Sequence, residues 1–377
     1  MKKLEKLATL IPIHELEQSA QKQIYDNLAL PFLEKLAIMP DCHAGYTLPI
    51  GGVALLNSVI SPEYVGYDIG CGMCCITTDI PYKEILKNEK TNKKIFGKIY
   101  KMIPVGPNSR ESNFFSFPEF RSASGDKALN KKVKEKLIPQ LGTLGGGNHF
   151  IELGCDSFGN FGVTIHSGSR NPGHSIAGYY MRQSKYEDKT LPRGFFHIGK
   201  RWGKMYLNDM NFALEYALEN RKTMLYEILK VVGFSDHDIN ILLKDMINEN
   251  HNHAVVQGDT NYVLHRKGAT ESLKGQLGVI PGNMRDGVYI VKGLGNDYYL
   301  NSSSHGAGRK GSRKWAKESI SMDRFKKTMN GIVAKVHKDT LDESPDAYKN
   351  VDDVIKAQEG IVINVINHIK PIINVKG

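Results

Sequence analysis

Tyr67-Asp68-Ile69-Gly70-Cys71-Gly72-Met73-Cys74-Cys75 sets a carboxylate and a thiol three residues apart in a glycine-rich turn, a spacing that lets both side chains converge on one ion. A zinc or redox pair of Cys71 and Cys74 is the other reading, but a structural zinc asks for a second ligand pair and none recurs downstream. Three histidines lie in similar polar, glycine-rich surroundings: His149 within Gly145 to Glu152, His166 in His166-Ser167-Gly168-Ser169-Arg170, and His251 in Asn250-His251-Asn252-His253. Together with Asp68 and Cys71 they offer one carboxylate, one thiolate and three imidazoles, enough for two divalent ions when the thiolate bridges. That mixture of O, N and S donors suits a first-row transition metal and by itself admits cobalt, nickel or zinc.

Around these loops the chain reads as α+β, with ligand loops carried on mixed sheets. Glycines cluster at 45–52, 66–72, 142–147, 168–178, 282–295 and 306–311, marking turns and close backbone approach to a ligand. Between them lie short β-like runs such as Val53 to Leu56, Val163 to Ile165, Tyr262 to Leu264 and Val288 to Val291. Leu214, Ala217, Leu218, Leu225, Ile228, Leu229 and Val232 keep helical spacing and stop at Gly233, which predicts a core-facing helix with a glycine cap. Lys83 to Lys101 and Asp126 to Leu141 read as Lys-rich helices with a solvated face that is also suited to phosphates. No repeat or linker divides residues 1–377, so one large unit is expected.

The 377 residues hold 41% apolar and 24% charged side chains, a balance that disfavours both a disordered chain and a membrane bundle. Fifty Lys and Arg against forty Asp and Glu give a net charge of +10, which suits a polyanionic partner. Five cysteines, three of them within five residues, make a poor disulfide framework and point to a reducing compartment. The basic start is cut by Pro12 and followed by acids, unlike a signal peptide, and the cytoplasm is the expected location.

His305 lies in Ser302-Ser303-Ser304-His305-Gly306-Ala307-Gly308-Arg309, a loop of small residues that leaves the imidazole accessible and supplies N–H groups for an anion. A neutral imidazole is a competent nucleophile towards phosphorus; a general acid in a phosphate loop is the plainer role. Gly306 to Gly311 has phosphate-loop spacing, yet Ser312-Arg313 follows where Lys and then Ser or Thr are needed. His14-Glu15-Leu16-Glu17-Gln18 lacks the second histidine of a zinc-protease helix.

Read in order, Met39-Pro40-Asp41-Cys42-His43-Ala44-Gly45-Tyr46, Asp68 to Gly72, Gly147-Asn148-His149-Phe150-Ile151-Glu152, His166 to Arg170, Arg266-Lys267-Gly268-Ala269 and Ser304 to Arg309 resemble the RtcB family of RNA ligases, from about Met39 to Gly377. The resemblance implies an enzyme that uses GTP and two Mn²⁺ ions to join an RNA 3′-phosphate or 2′,3′-cyclic phosphate to a 5′-hydroxyl through a guanylylated histidine. His305 matches that nucleophile. Asp68, Cys71, His149, His166 and His251 match the metal ligands, with Cys71 as bridge and with Cys74, Cys75 and His253 outside the set. Asn148, Glu152, Asn283, Gly306, Ala307, Gly308, Arg309, Tyr348 and Lys376 match the nucleotide site, and Asp41, Arg170 and Arg285 are expected at the RNA.

Where the family pattern reads Pro-Gly-Ser-Met-Gly, this chain has Pro281-Gly282-Asn283-Met284-Arg285, losing hydroxyls and gaining a cation. Arg285 is open to two uses there, the triphosphate or the RNA terminal phosphate. Such departures resemble a divergent bacterial branch associated with repair of cleaved RNA. They leave two competing functions, an RNA maturation or repair factor that has lost sealing and a metal-dependent cyclic phosphodiesterase that needs neither GTP nor His305.

Overall fold

Strand Gly72–Pro81 starts directly behind the Asp68 to Cys71 turn and pairs antiparallel with Asn160–Ser167 on one side and Ile247–Asn250 on the other. The computed structural model describes residues 4–112, 114–186 and 190–377; Met1 to Lys3 of the basic start lie outside them. The sheet continues from Asn160–Ser167 through Phe150–Cys155, Ile363–Lys376 and Val288–Gly293 to Leu277–Pro281. In its register Gly72 faces Ser167 and Asn250, Met73 faces His166, and Phe150 faces both His166 and Lys376. Residues 71, 149, 166, 251 and 376 are thereby brought to the same end of neighbouring strands.

A second sheet orders Leu7–Thr9, Leu33–His43, Ile50–Asn57, Tyr262–Lys267 and Asn252–Val256, antiparallel except for the first pair. It carries Asp41 near the end of its strand. The short strand Ser302–Ser304, paired with Ala269–Glu271, delivers His305 beside it. The four β-like runs read from the sequence all fall inside strands, and the α+β class holds.

The long helix spans Arg201–Val232 and ends on Gly233, whose φ of 104° is the left-handed conformation that favours glycine. Its N-terminal half escaped the periodicity because its inward face mixes Tyr206 and Met210 with a buried Asp209, bonded to Ser122 and Tyr180. Lower down, Met224, Leu225 and Ile228 pack on Ile151, Leu153, Val163 and Ile165 of the large sheet. Each such side chain contributes about 1.5–3 kcal/mol through burial. The Lys-rich segments fold as Glu89–Met102, capped by the Asn88 side chain, and Lys127–Gln140, capped by Asp126. No helix of the described residues is long and apolar enough to cross a membrane.

Gly72 is where fold and site meet: a methyl group there would overlap the Glu249 carbonyl oxygen and stand 3.0 Å from the Arg221 guanidinium. Gly72→Ala should therefore pry strand Ile247–Asn250 from its neighbour and cost about 1–3 kcal/mol, the usual range for overpacking. Urea denaturation of the two proteins measures it, and unchanged stability would contradict the close approach.

Candidate active site

Cys71 closes a tight turn in which its N–H donates to the Asp68 carbonyl, and its own carbonyl accepts from His251 N–H at 2.8 Å. Gly168 allows the turn to close, since a side chain there would overlap the Asp68 carboxylate. Two overlapping groups result, Asp68 with Cys71 and His149, and Cys71 with His166 and His251, each with its donor atoms within 4.8 Å of one another. Cys71 Sγ lies 3.3 Å from His149 Nε2 and 3.2 Å from His166 Nε2, and His166 Nε2 lies 3.2 Å from His251 Nε2.

The protonation chemistry suits a cation. His149 Nδ1 donates to the Leu144 carbonyl at 2.9 Å, which turns Nε2 inward to 3.0 Å from Asp68 Oδ2, where a cation would take the place of the proton between them. Burial and neighbouring imidazoles push His166 and His251 well below the ordinary histidine range, so both are neutral and able to ligate. Burial raises the Asp68 pKa, but His149 outweighs it, with help from Cys71 and Arg170, and brings it down to about 2. Burial and the Asp68 charge push the Cys71 thiol well up, so a thiolate forms there only beside a cation. This donor set fits one or two transition-metal ions with Cys71 shared. His253 stands apart, 3.4 Å from Arg266, and Cys74 and Cys75 are buried in the sheet outside both groups.

Two residues that sequence reading passed over hold these loops. Arg221 is fully buried and donates to the Gly70 carbonyl (2.8 Å), the Ser167 carbonyl (2.9 Å) and the side chains of Asn248 and Asn250 (2.7 and 2.8 Å). Those positions adjoin Cys71, His166 and His251. Its neighbour Asn220 accepts from Gly142 and Thr143 N–H and donates to the Thr143 and Gly168 carbonyls, tying in the loop that leads to His149. A signal existed: both are polar residues on the apolar face of an amphipathic helix. Arg170, expected at the RNA, is partly buried and donates to Thr143 Oγ1 and the Gly106 carbonyl, with its charge felt by Asp68.

Beside the metal group opens a cavity of about 800 Å³. His305 lines it, with its ring centroid 4.8 Å from that of His251. Asp41, also expected at the RNA, is instead completely buried behind His305, where one oxygen accepts from the imidazole Nδ1 at 2.6 Å and from the His305 backbone N–H at 3.2 Å. Because a carboxylate only accepts, Nδ1 carries a proton, and in the neutral imidazole the lone pair is then on Nε2. Gly308, with φ 74°, packs against the Asp41 backbone so closely that a side chain would overlap its carbonyl.

Asn148, Glu152, Asn283, Gly306, Ala307, Gly308, Arg309, Tyr348 and Lys376 all line this cavity. Glu343, which no motif flagged, organises its cationic wall. Its buried carboxylate accepts from Arg313 (2.6 Å), Arg309 (3.3 Å), Lys376 (2.5 Å) and the Tyr348 hydroxyl (2.5 Å). Burial opposes its charge, yet Lys376 and Arg313 prevail and lower it to about 2. Opposite in character, Glu152 is pushed up to about 8 by burial, and its Oε1 has no partner. Arg285 is half-exposed, turned onto the adjacent Asp286 at 2.6 Å and outside the cavity wall, while Asn283 accepts from Arg285 and Asp286 N–H.

A family model described as tRNA-splicing ligase RtcB matches residues 23–127 and 119–377. The RNA-splicing ligase RtcB of Escherichia coli (strain K12) is 31% identical over 96% of this chain and 95% of its own length. The tRNA-splicing ligase RtcB of Thermococcus kodakarensis is 28% identical over 97% of this chain and 92% of its own, and that of Nanoarchaeum equitans 28% over 92% and 89%.

Two outcomes follow from this geometry. Arg221→Met should leave the ligand loops untied and weaken binding of a divalent transition-metal ion by about 10- to 100-fold in calorimetric titration. Glu152 keeps a proton in the folded protein that the unfolded chain gives up above its ordinary value of 4.5, so its contribution to stability declines from there until pH passes about 8. The loss of stability between pH 5 and pH 8, read by urea denaturation, should be smaller in Glu152→Gln.

Proposed function

The chain belongs to the RtcB family of RNA ligases, and from that premise we propose that it joins RNA 3′-phosphate or 2′,3′-cyclic phosphate ends to 5′-hydroxyl ends at the expense of GTP, through a guanylylated His305. The observation that carries this reading is the Asp41–His305 pair: a buried carboxylate fixes the imidazole tautomer and leaves a nucleophilic nitrogen at the wall of a cationic cavity.

Asp68, Cys71 and His149 would hold one Mn²⁺ and Cys71, His166 and His251 a second. Bound there, the ions would offset the negative charge that builds on phosphate oxygens under attack. Asn148, Glu152, Tyr348 and Lys376 are assigned to the guanylate, and the 306–309 loop to the phosphates. His305 Nε2 attacks the α-phosphorus, the bond to the β-phosphate oxygen breaks and pyrophosphate leaves. The guanylyl group then passes to an oxygen of the RNA 3′-phosphate and His305 regains its lone pair. The 5′-hydroxyl oxygen attacks the activated 3′-phosphorus, GMP leaves and the hydroxyl proton goes to solvent. A cyclic phosphate must first be opened by water.

The sequence changes at Asn283 to Val288 do not close the cavity, because Arg285 is turned onto Asp286. That favours retained sealing over a factor that binds RNA without joining it. The 377 residues act here as one unit, and five unpaired thiols suit the reducing cytoplasm.

Incubation with Mn²⁺ and labelled GTP should place acid-labile guanylate on the protein. His305→Ala should abolish the label while retaining metal, and Asp41→Asn, which no longer fixes the tautomer, should slow labelling by roughly 10²- to 10⁴-fold. Label on His305→Ala would refute the nucleophile; opening of cyclic ends without label or sealing would favour the phosphodiesterase.

A further inference from the structure

Tyr67, the residue directly before Asp68, is 39% exposed, and Tyr46 is 74% exposed. Large aromatic faces are costly to leave in water, and these two stand together: their ring centroids are 6.2 Å apart and the rings cross at 71°, forming an open corner. The corner is braced from below. Tyr67 stacks on His174 at 4.8 Å and 22°, and the buried Lys267 ammonium lies 5.6 Å from the Tyr46 ring centre while donating to the Glu63 carbonyl.

Its rim is cationic. Arg182 and Tyr67 both border Gly178, where an added methyl group would stand 3.5 Å from the Tyr67 ring and 3.6 Å from the Arg182 guanidinium. Lys132 is close enough to His174 to help hold that imidazole neutral, after burial as the main cause. Exposed aromatic faces with cations beside them are the combination that binds single-stranded nucleic acid, the rings taking bases and the cations phosphates.

We infer that Tyr46 and Tyr67 form a stacking platform for an unpaired nucleobase close to the RNA end being joined, with Arg182 and Lys132 on its flanking phosphates. The inference rests on the RNA-ligase reading and adds to it a preference for ends that are frayed or single-stranded. Neither tyrosine lines the His305 cavity.

The test compares wild type, Tyr46→Ala, Tyr67→Ala, the double variant and the double Tyr→Phe variant. Each is titrated by anisotropy with three 3′-phosphate RNAs: single-stranded, the same strand abasic near its end, and a blunt duplex. The double Ala variant should bind the single strand about 10- to 100-fold more weakly. Its affinity for the abasic strand and the duplex should change less than about threefold, and the Phe variant should bind as wild type. Guanylate labelling of His305 should be unaffected, which also reports an intact fold; if the double variant misfolds, the single Tyr46→Ala decides. Equal losses on all three RNAs, or no loss on any, would overturn the platform while leaving the ligase reading standing. A wild-type protein that accepts no guanylate and binds none of the RNAs would sink the ligase reading itself and the platform with it.

Discussion

A buried guanidinium has five N–H donors and a fixed charge, and leaving either uncompensated inside a protein costs several kcal/mol. Arg221 meets this demand with groups that adjoin the metal-ligand candidates, the carbonyls of Gly70 and Ser167 and the amides of Asn248 and Asn250. The same contacts that satisfy Arg221 therefore fix the spacing of three separate loops. Asn220 does the same for the loop that precedes His149. Because both project from one rigid helix, the loops share a single reference frame.

On either side of His305 the electrostatics change sign. The Asp68–Cys71 side is an acidic and sulfur-bearing pocket suited to cations, whereas the Arg309, Arg313 and Lys376 side is suited to a polyphosphate. Glu343 prevents that second side from repelling itself, drawing three cations and a phenol onto one carboxylate. Lys376 reaches it because the second half of the strand Ile363–Lys376, from Lys370 on, is paired with Phe150–Cys155, which fixes its position.

Residues whose chemistry is unusual for their setting could be read from the sequence. Cys71, Asp68, His166 and His305 sit among glycines, and the glycines now have explicit reasons, such as Gly168 against Asp68 and Gly308 against Asp41. Strands and helices with plain periodicity were equally legible. What could not be read were roles that depend on which face of an element meets which loop. Asp41 belongs to a recognisable motif, but only the tertiary fold shows it buried behind an imidazole that follows it by more than two hundred positions. Glu343 has no local signature because its partners are scattered from Arg309 to Lys376. Arg285 looked intrusive in sequence, yet the adjacent Asp286 claims its guanidinium.

The strand Ile363–Lys376 is made on the ribosome after every other strand of the large sheet, yet it lies in the interior, between Val288–Gly293 and Phe150–Cys155. Until it emerges, two blocks of sheet face each other with open edges and exposed apolar faces. Such long-range closure is slow, and unpaired edges invite association with other chains. The large sheet is therefore completed by pairings between segments far apart in the sequence, and its two blocks stay apart until those contacts form.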